Sequence, residues 1–223
     1  MSAFLGHIHY WLYHKIRRVM EREQLIFQKA GKLCGATAEE LRSQVWQIYG
    51  QPLPDVELSE LIDHGNIHGW LQRQIIIAET REAAFIKEVS DFCGSSGREL
   101  AAEAFAEHGQ LCGKHAKFQK QYDEETAAGV YQAINDYFLN GMPCDQGDTV
   151  TVNEAGLVVW EGAMWLQERN WTKAGVDKRL MKECYRKWLD GFVKALNPAF
   201  RYRQTAEAAG GNPVNRHEIR KEA

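Results

Sequence analysis

Leu180-Met-Lys-Glu-Cys-Tyr-Arg-Lys-Trp-Leu-Asp-Gly-Phe-Val-Lys-Ala-Leu-Asn-Pro198, continuing as Ala-Phe-Arg-Tyr-Arg-Gln-Thr205, decides the fold. Leu180, Met181, Cys184, Tyr185, Trp188, Leu189, Phe192, Val193 and Leu196 recur at steps of three and four, which is the wide apolar face of a helix. Asn197-Pro198 stops that helix, because a residue preceding proline is pushed out of the α region. The period then drops to two over Phe200–Thr205, as in a strand. Gly210-Gly-Asn-Pro213 reads as a turn and Arg216-His-Glu-Ile219 as the returning strand. A long helix feeding an antiparallel pair predicts a mainly α fold with a small C-terminal antiparallel β element (α+β).

Upstream the pattern stays helical. A first helix is predicted over about residues 3 to 30, with Leu5, Ile8, Leu12, Ile16 and Val19 inward, ended by Gly31 and Gly35. Thr37-Ala-Glu-Glu40 fits a capping box, so a second helix runs to Tyr49. After Gln51-Pro-Leu-Pro54, a long helix starts at Ser59 or Asn66 and reaches Phe92, with Leu71, Ile75, Ala78, Phe85, Val89 and Phe92 inward. Gly94-Ser-Ser-Gly97 reads as a loop before a helix over 98–121, and Asp123 as the cap of the next, which runs to Leu139. Gly141–Asp148 is turn-rich. Thr149–Val152 and Leu157–Trp160 flank Asn153-Glu-Ala-Gly156 as a hairpin, and a short helix includes Met164 and Leu166. The 223 residues read as one domain, with a helical part over 1–140 and the hairpin, long helix and C-terminal strands over 141–223.

The net charge of −3, with Lys and Arg dispersed among Asp and Glu, opposes a nucleic-acid surface. No stretch approaches the roughly 18 apolar residues of a membrane span. The first residues lack the charged n-region and cleavage site of a signal peptide. Five cysteines without C-x-x-C spacing point to a reduced, cytoplasmic setting. The expected partner is a small molecule, and the oligomeric state stays open. No phosphate-binding glycine loop, G-x-S-x-G elbow or H-E-x-x-H appears.

Four groups of residues bear chemistry. On a helix, His108, Cys112 and His115 at i, i+4 and i+7 fall within about 60° of one another. Two imidazoles and a thiol on one face suit a transition metal, or a Cys112 thiolate beside histidine. Alternatively Cys112 is a small buried hydrophobe among hydrogen-bonded histidines. His7, His9, Tyr10, Trp11 and His14 crowd the first helix, suiting a pocket for a planar ligand or a haem, or an aromatic core helix. Asp63-His64 with His68 has the i, i+4 spacing of helical two-histidine metal sites, weakened by Gly65 and Asn66. Cys144 sits between Pro143 and Asp145, near Asp148; a turn cysteine can react, although an adjacent carboxylate raises its pKa.

Asn197-Pro-Ala-Phe-Arg-Tyr-Arg-Gln-Thr205, Ala209-Gly-Gly-Asn-Pro213 and His217-Glu-Ile219 together resemble the C-terminal signature of the L-2-amino-thiazoline-4-carboxylic acid hydrolase-like family. The resemblance implies a mostly helical chain and hydrolytic opening of a thiazoline ring to an N-carbamoyl cysteine. That reaction needs a base for the nucleophile, an acid for the leaving sulfur and a cation for the substrate carboxylate. His108 and His115, with His9 facing them, are the expected acid and base; Arg17, Arg73 and Arg201 are the expected cations. Where the family carries cysteine after the turn, this chain has Asn215, which leaves Cys112 and Cys144 as the nominated nucleophiles.

Overall fold

The structure is a computed structural model that describes residues 5–145, 147–162, 164–206 and 214–222. The fold is mainly helical with one four-stranded antiparallel sheet, as the sequence predicts. No helix among the described residues is long and apolar enough to cross a membrane. The chain divides into two compact units, one of residues 1–100 and 169–177, the other of 101–168 and 178–223.

In the first unit, α1 (His7–Cys34) pairs with α4 (Ile67–Cys93). The facing residues run in parallel order and lie 58 to 60 positions apart: His9 with His68, Arg22 with Glu82, Glu23 with Arg81. Phe27 meets Phe85, and the Cys34 thiol meets Cys93, at the same spacing. α2 (Thr37–Tyr49), the short α3 (Leu58–Leu61) and α7 (Glu168–Ala174) complete the unit. The buried stripe of α1 is His9, Leu12, Tyr13, Ile16, Val19 and Ile26; Ile8 points outward, 43% exposed. Phe92, expected inward, is 59% exposed. The expected capping box at Thr37 is replaced by Ala36, which offers no side-chain cap. A capping box forms instead on α1, where His9 Nδ1 accepts the Gly6 N–H at 2.9 Å. The loop expected over 94–97 shrinks to a turn at Gly94, with φ of +61°, and α5 (Ser95–Gln119) begins at once.

In the second unit, α5 packs against α8 (Lys178–Leu196) through glycines. A Cβ on Gly109 would lie 2.2 Å from the Trp188 carbonyl oxygen, and one on Gly113 2.3 Å from that of Phe192. Backbones this close tolerate no side chain between them. α6 (Ala127–Tyr137) is capped by Thr126, whose hydroxyl accepts the Gly129 N–H, and not by Asp123. β1 (Thr149–Glu154), β2 (Leu157–Gly162), β3 (Phe200–Ala206) and β4 (Asn215–Lys221) form the sheet in the order β1-β2-β4-β3. The turn read at 210–213 lies outside the described residues. Alternation in β4 sends Asn215, His217 and Ile219 inward and Arg216 and Arg220 outward. Their cross-strand neighbours on β2 are Gly162, Trp160 and Val158.

Candidate functional site

The residues nominated from sequence are placed as follows. His108 and Cys112 are both buried on α5, with Cys112 Sγ 3.7 Å from His108 Nδ1. That same nitrogen accepts the Trp188 Nε1–H at 2.9 Å. His115, one turn further, is exposed; it pairs with the Tyr137 hydroxyl and accepts from Gln119 Nε2 at 3.3 Å. Ala101, Ala104, His108 and Cys112 are buried along this face of α5, and it reaches solvent towards the end of the helix, where His115 is exposed. His108, Cys112 and His115 do not form the expected metal set. Among the described residues no three His, Cys, Asp or Glu side chains gather as a metal site.

On α1, His9 is engaged within the first unit: Nδ1 accepts the Gly6 N–H at 2.9 Å and Nε2 lies 3.3 Å from His68 Nε2. Loss of hydration and the neighbouring His68 hold its pKa below the ordinary histidine value. His7 and His14 are exposed, and Lys15 Nζ lies 3.5 Å from the Trp11 ring centre. Tyr10 and His14 line a wide polar cleft with Arg17 and Asp55. Arg17 is held there by the Pro54 carbonyl and the Asp55 carboxylate. His64 is exposed and bonds the Ser59 carbonyl, away from the His9–His68 contact. Cys144 is exposed in a 3-10 turn (Pro143–Asp145). Asp145 is committed to that turn, accepting the Met142 N–H at 2.7 Å.

A different site stands out in the second unit. α6, α8, the inner face of β2 and β4, and residues 164–165 line a small cavity of about 30 Å3 that opens to solvent. Tyr131, Phe138, Trp160 and Trp165 supply aromatic walls; Asn135, Asn140, Asn215, His217 and Asp148 supply the polar groups. None of the nominated residues His7, His9, Tyr10, Trp11, His14, His108, Cys112, His115 and Cys144 lines it, nor do Arg17, Arg73 and Arg201. Asp148 is the one charged side chain among its described lining residues.

His217 is fixed from three sides. Its ring stacks on Trp160, with centres 5.3 Å apart and planes 15° off parallel, and meets the edge of Trp165 at 5.3 Å. The stack follows from the register, since Trp160 and His217 are direct cross-strand partners. The Tyr202 hydroxyl lies 2.7 Å from His217 Nδ1. Burial, and then the Arg186 charge, push the His217 pKa down to about 4, while burial raises that of Tyr202. The phenol and the neutral imidazole share this hydrogen bond, and the imidazole tautomer sets which of them donates.

Asp148 stands at the mouth of the cavity. The residue is exposed as a whole, but its carboxyl turns in against β2. Oδ2 accepts Asn140 Nδ2 at 2.7 Å, and Oδ1 lies 2.8 Å from where a Cβ on Gly162 would sit. Lost hydration on the protein side, opposed by the Asn140 bond, pushes its pKa up to about 6. At neutral pH the cavity thus holds a carboxylate on the edge of protonation and an uncharged imidazole, between aromatic faces.

No family model, curated protein or solved structure matches this chain. The site stands on its own geometry. Sequence reading quoted Asp148 only as a loop neighbour of Cys144 and His217 only within the tail. The available signal was the alternation of residues 215–219, which turns a histidine onto the apolar face of a strand.

Proposed function

We propose that the chain is a small-molecule hydrolase of cytoplasmic setting, acting on a cyclic amidine or 2-aminothiazoline ring seated at the open mouth of the aromatic cavity. The observation that carries this reading is the Asp148 carboxylate, its pKa pushed up to about 6 by lost hydration, as the one charged side chain among the described lining residues of an aromatic cavity. An amidinium is planar and cationic, so it stacks on Trp160 or Trp165 and pairs with Asp148. The reaction suggested by the family resemblance is kept, while its residues move from the His108–Cys112 helix to the sheet.

Asp148 suits the role of general base, since its pKa lies close to working pH. It takes a proton from water as the oxygen adds to the amidine carbon. The C–S bond then breaks as the carbon becomes a urea carbonyl, the second water proton passes from the oxygen to solvent, the nitrogens keep the protons of the amidinium, and Asp148 gives the proton it took to the leaving sulfur. In this scheme Tyr202 donates to Nδ1, so that the neutral His217 bears its proton at Nε2 and hydrogen-bonds the developing oxygen without changing charge. The described lining residues include no cation, which favours 2-amino-2-thiazoline over its 4-carboxylate. Trapping the thiol released from each compound with a chromogenic disulfide tests the proposal. Expected are turnover of the first in preference to the second, and loss of turnover in Asp148→Asn. Thiol release that is undiminished in Asp148→Asn refutes the assignment; binding without any thiol release converts the site to a non-catalytic cation receptor.

A further inference from the structure

The parallel pair α1 and α4 ends on two cysteines. Cys34 is the last residue of α1 and Cys93 the last of α4. They continue the in-register series that begins with His9 and His68, and their thiols are in hydrogen-bonding contact. Each is followed by a glycine of positive φ, Gly35 at +62° and Gly94 at +61°, so the chain leaves both helices immediately beyond the sulfur. The last turn of a helix, whose carbonyls lack intrahelical partners, adjusts more readily than a helix interior. Both residues are partly exposed, whereas Cys112 and Cys184 are buried and Cys144 sits on a distant stretch of the chain in the other unit.

We infer that Cys34 and Cys93 form a dithiol site that closes to a disulfide on exchange with a low-molecular-weight disulfide such as oxidised glutathione. The Cys93 sulfur attacks one sulfur of the small disulfide, forming a mixed disulfide and releasing one thiol. Cys34 then attacks the Cys93 sulfur and displaces the second thiol. Both protein sulfurs are oxidised, the small disulfide is reduced to two thiols, and the two protons end on those thiols. Cys34 is the later attacker, because its S–H donates to the Ala30 carbonyl at 3.0 Å and burial pushes its pKa up to about 11. The product ties the helix ends across 59 residues and constrains the unfolded chain accordingly.

The test uses the full chain, incubated with oxidised glutathione and mapped as peptides without reduction. The expected results are a Cys34–Cys93 linked peptide, a fall of two in titratable thiols, and a rise in Tm of about 5 °C or more that dithiothreitol reverses. Cys34→Ser and Cys93→Ser should each abolish the link and the shift, and Cys144→Ser should leave both intact. A map of the unsubstituted chain showing only glutathione adducts, a link through Cys144, or a link between two chains overturns the inference. So does a Tm that does not respond to oxidation. Because the map is made on the unsubstituted chain, it decides the matter even where a serine variant fails to fold.

Discussion

Replacing Arg22 with Met isolates the energetics of the α1–α4 pair. Arg22 donates to both oxygens of Glu82 at 2.7 Å, and the two side chains are 4% and 0% exposed. Beside them Glu23 accepts from Arg81 and from the Trp46 indole. The methionine approximates the volume of the arginine stem but leaves the fully buried Glu82 without the guanidinium that both its oxygens accept from. Stranding a buried charge costs about 3–5 kcal/mol. With a urea m-value of about 3 kcal/mol/M, the midpoint should fall by about 1–1.7 M with the slope unchanged. Burial already pushes the Glu82 pKa upward against the pull of Arg22, and losing Arg22 removes that pull. A carboxyl raised in the folded state binds its proton more tightly there than in the unfolded chain, so the stability of the variant should recover as pH is lowered from 8 to 5. Replacing both partners, as Arg22→Met with Glu82→Leu, should return stability to within about 1 kcal/mol of the parent or above it. Urea unfolding followed by far-ultraviolet circular dichroism measures all three. A single variant within 0.5 kcal/mol of the parent (roughly the error of such measurements), or a double variant worse than the single, refutes the reasoning.

Other outcomes follow from the second unit and the start of α1. Gly109→Ala should destabilise by about 1–3 kcal/mol, because its methyl would meet the Trp188 carbonyl at 2.2 Å and backbone cannot move aside cheaply; thermal unfolding reads this directly. His217, held at about 4 against an ordinary 6.5, resists protonation only when folded. Its contribution, about 3 kcal/mol, should be complete above pH 6.5 and lost as pH falls towards 4, and His217→Gln should flatten that part of the stability profile. Asp148 behaves oppositely: its contribution is complete below about 3.8 and lost as pH rises through about 6, so Asp148→Asn should gain on the parent above pH 6 and match it below pH 4, as Tm against pH will show. His9→Ala removes the acceptor for the Gly6 N–H and should cost about 1 kcal/mol, visible as faster hydrogen exchange in the first turn of α1.

Periodicity made the mainly α fold, the order of its elements and the C-terminal strands legible, because a helix face or a strand face is a local arithmetic of apolar positions. Leu180–Leu196 is buried where its pattern says, and the shift of period after Pro198 marks the start of β3. Local signals failed where a neighbour decided the outcome. The glycines at 94 and 97 read as a loop, yet one residue of positive φ suffices when the next helix packs back at once. Phe92 fits the inward stripe of its helix, yet it is 59% exposed.

The chemistry divides the same way. Sequence by itself put His108, Cys112 and His115 on one helical face, since that depends only on residues per turn. It contains no term for the Trp188 and Tyr137 side chains, from α8 and α6, that engage two of those imidazoles. Conversely, no spacing links Asp148, Trp160 and His217. They share a cavity because β2 and β4 pair in a register that stacks Trp160 on His217, and because Gly162 leaves room for the Asp148 carboxyl. Facing is set by a few neighbouring residues and can be counted along the chain. Convergence is set by which distant strands pair, and only the folded backbone decides that.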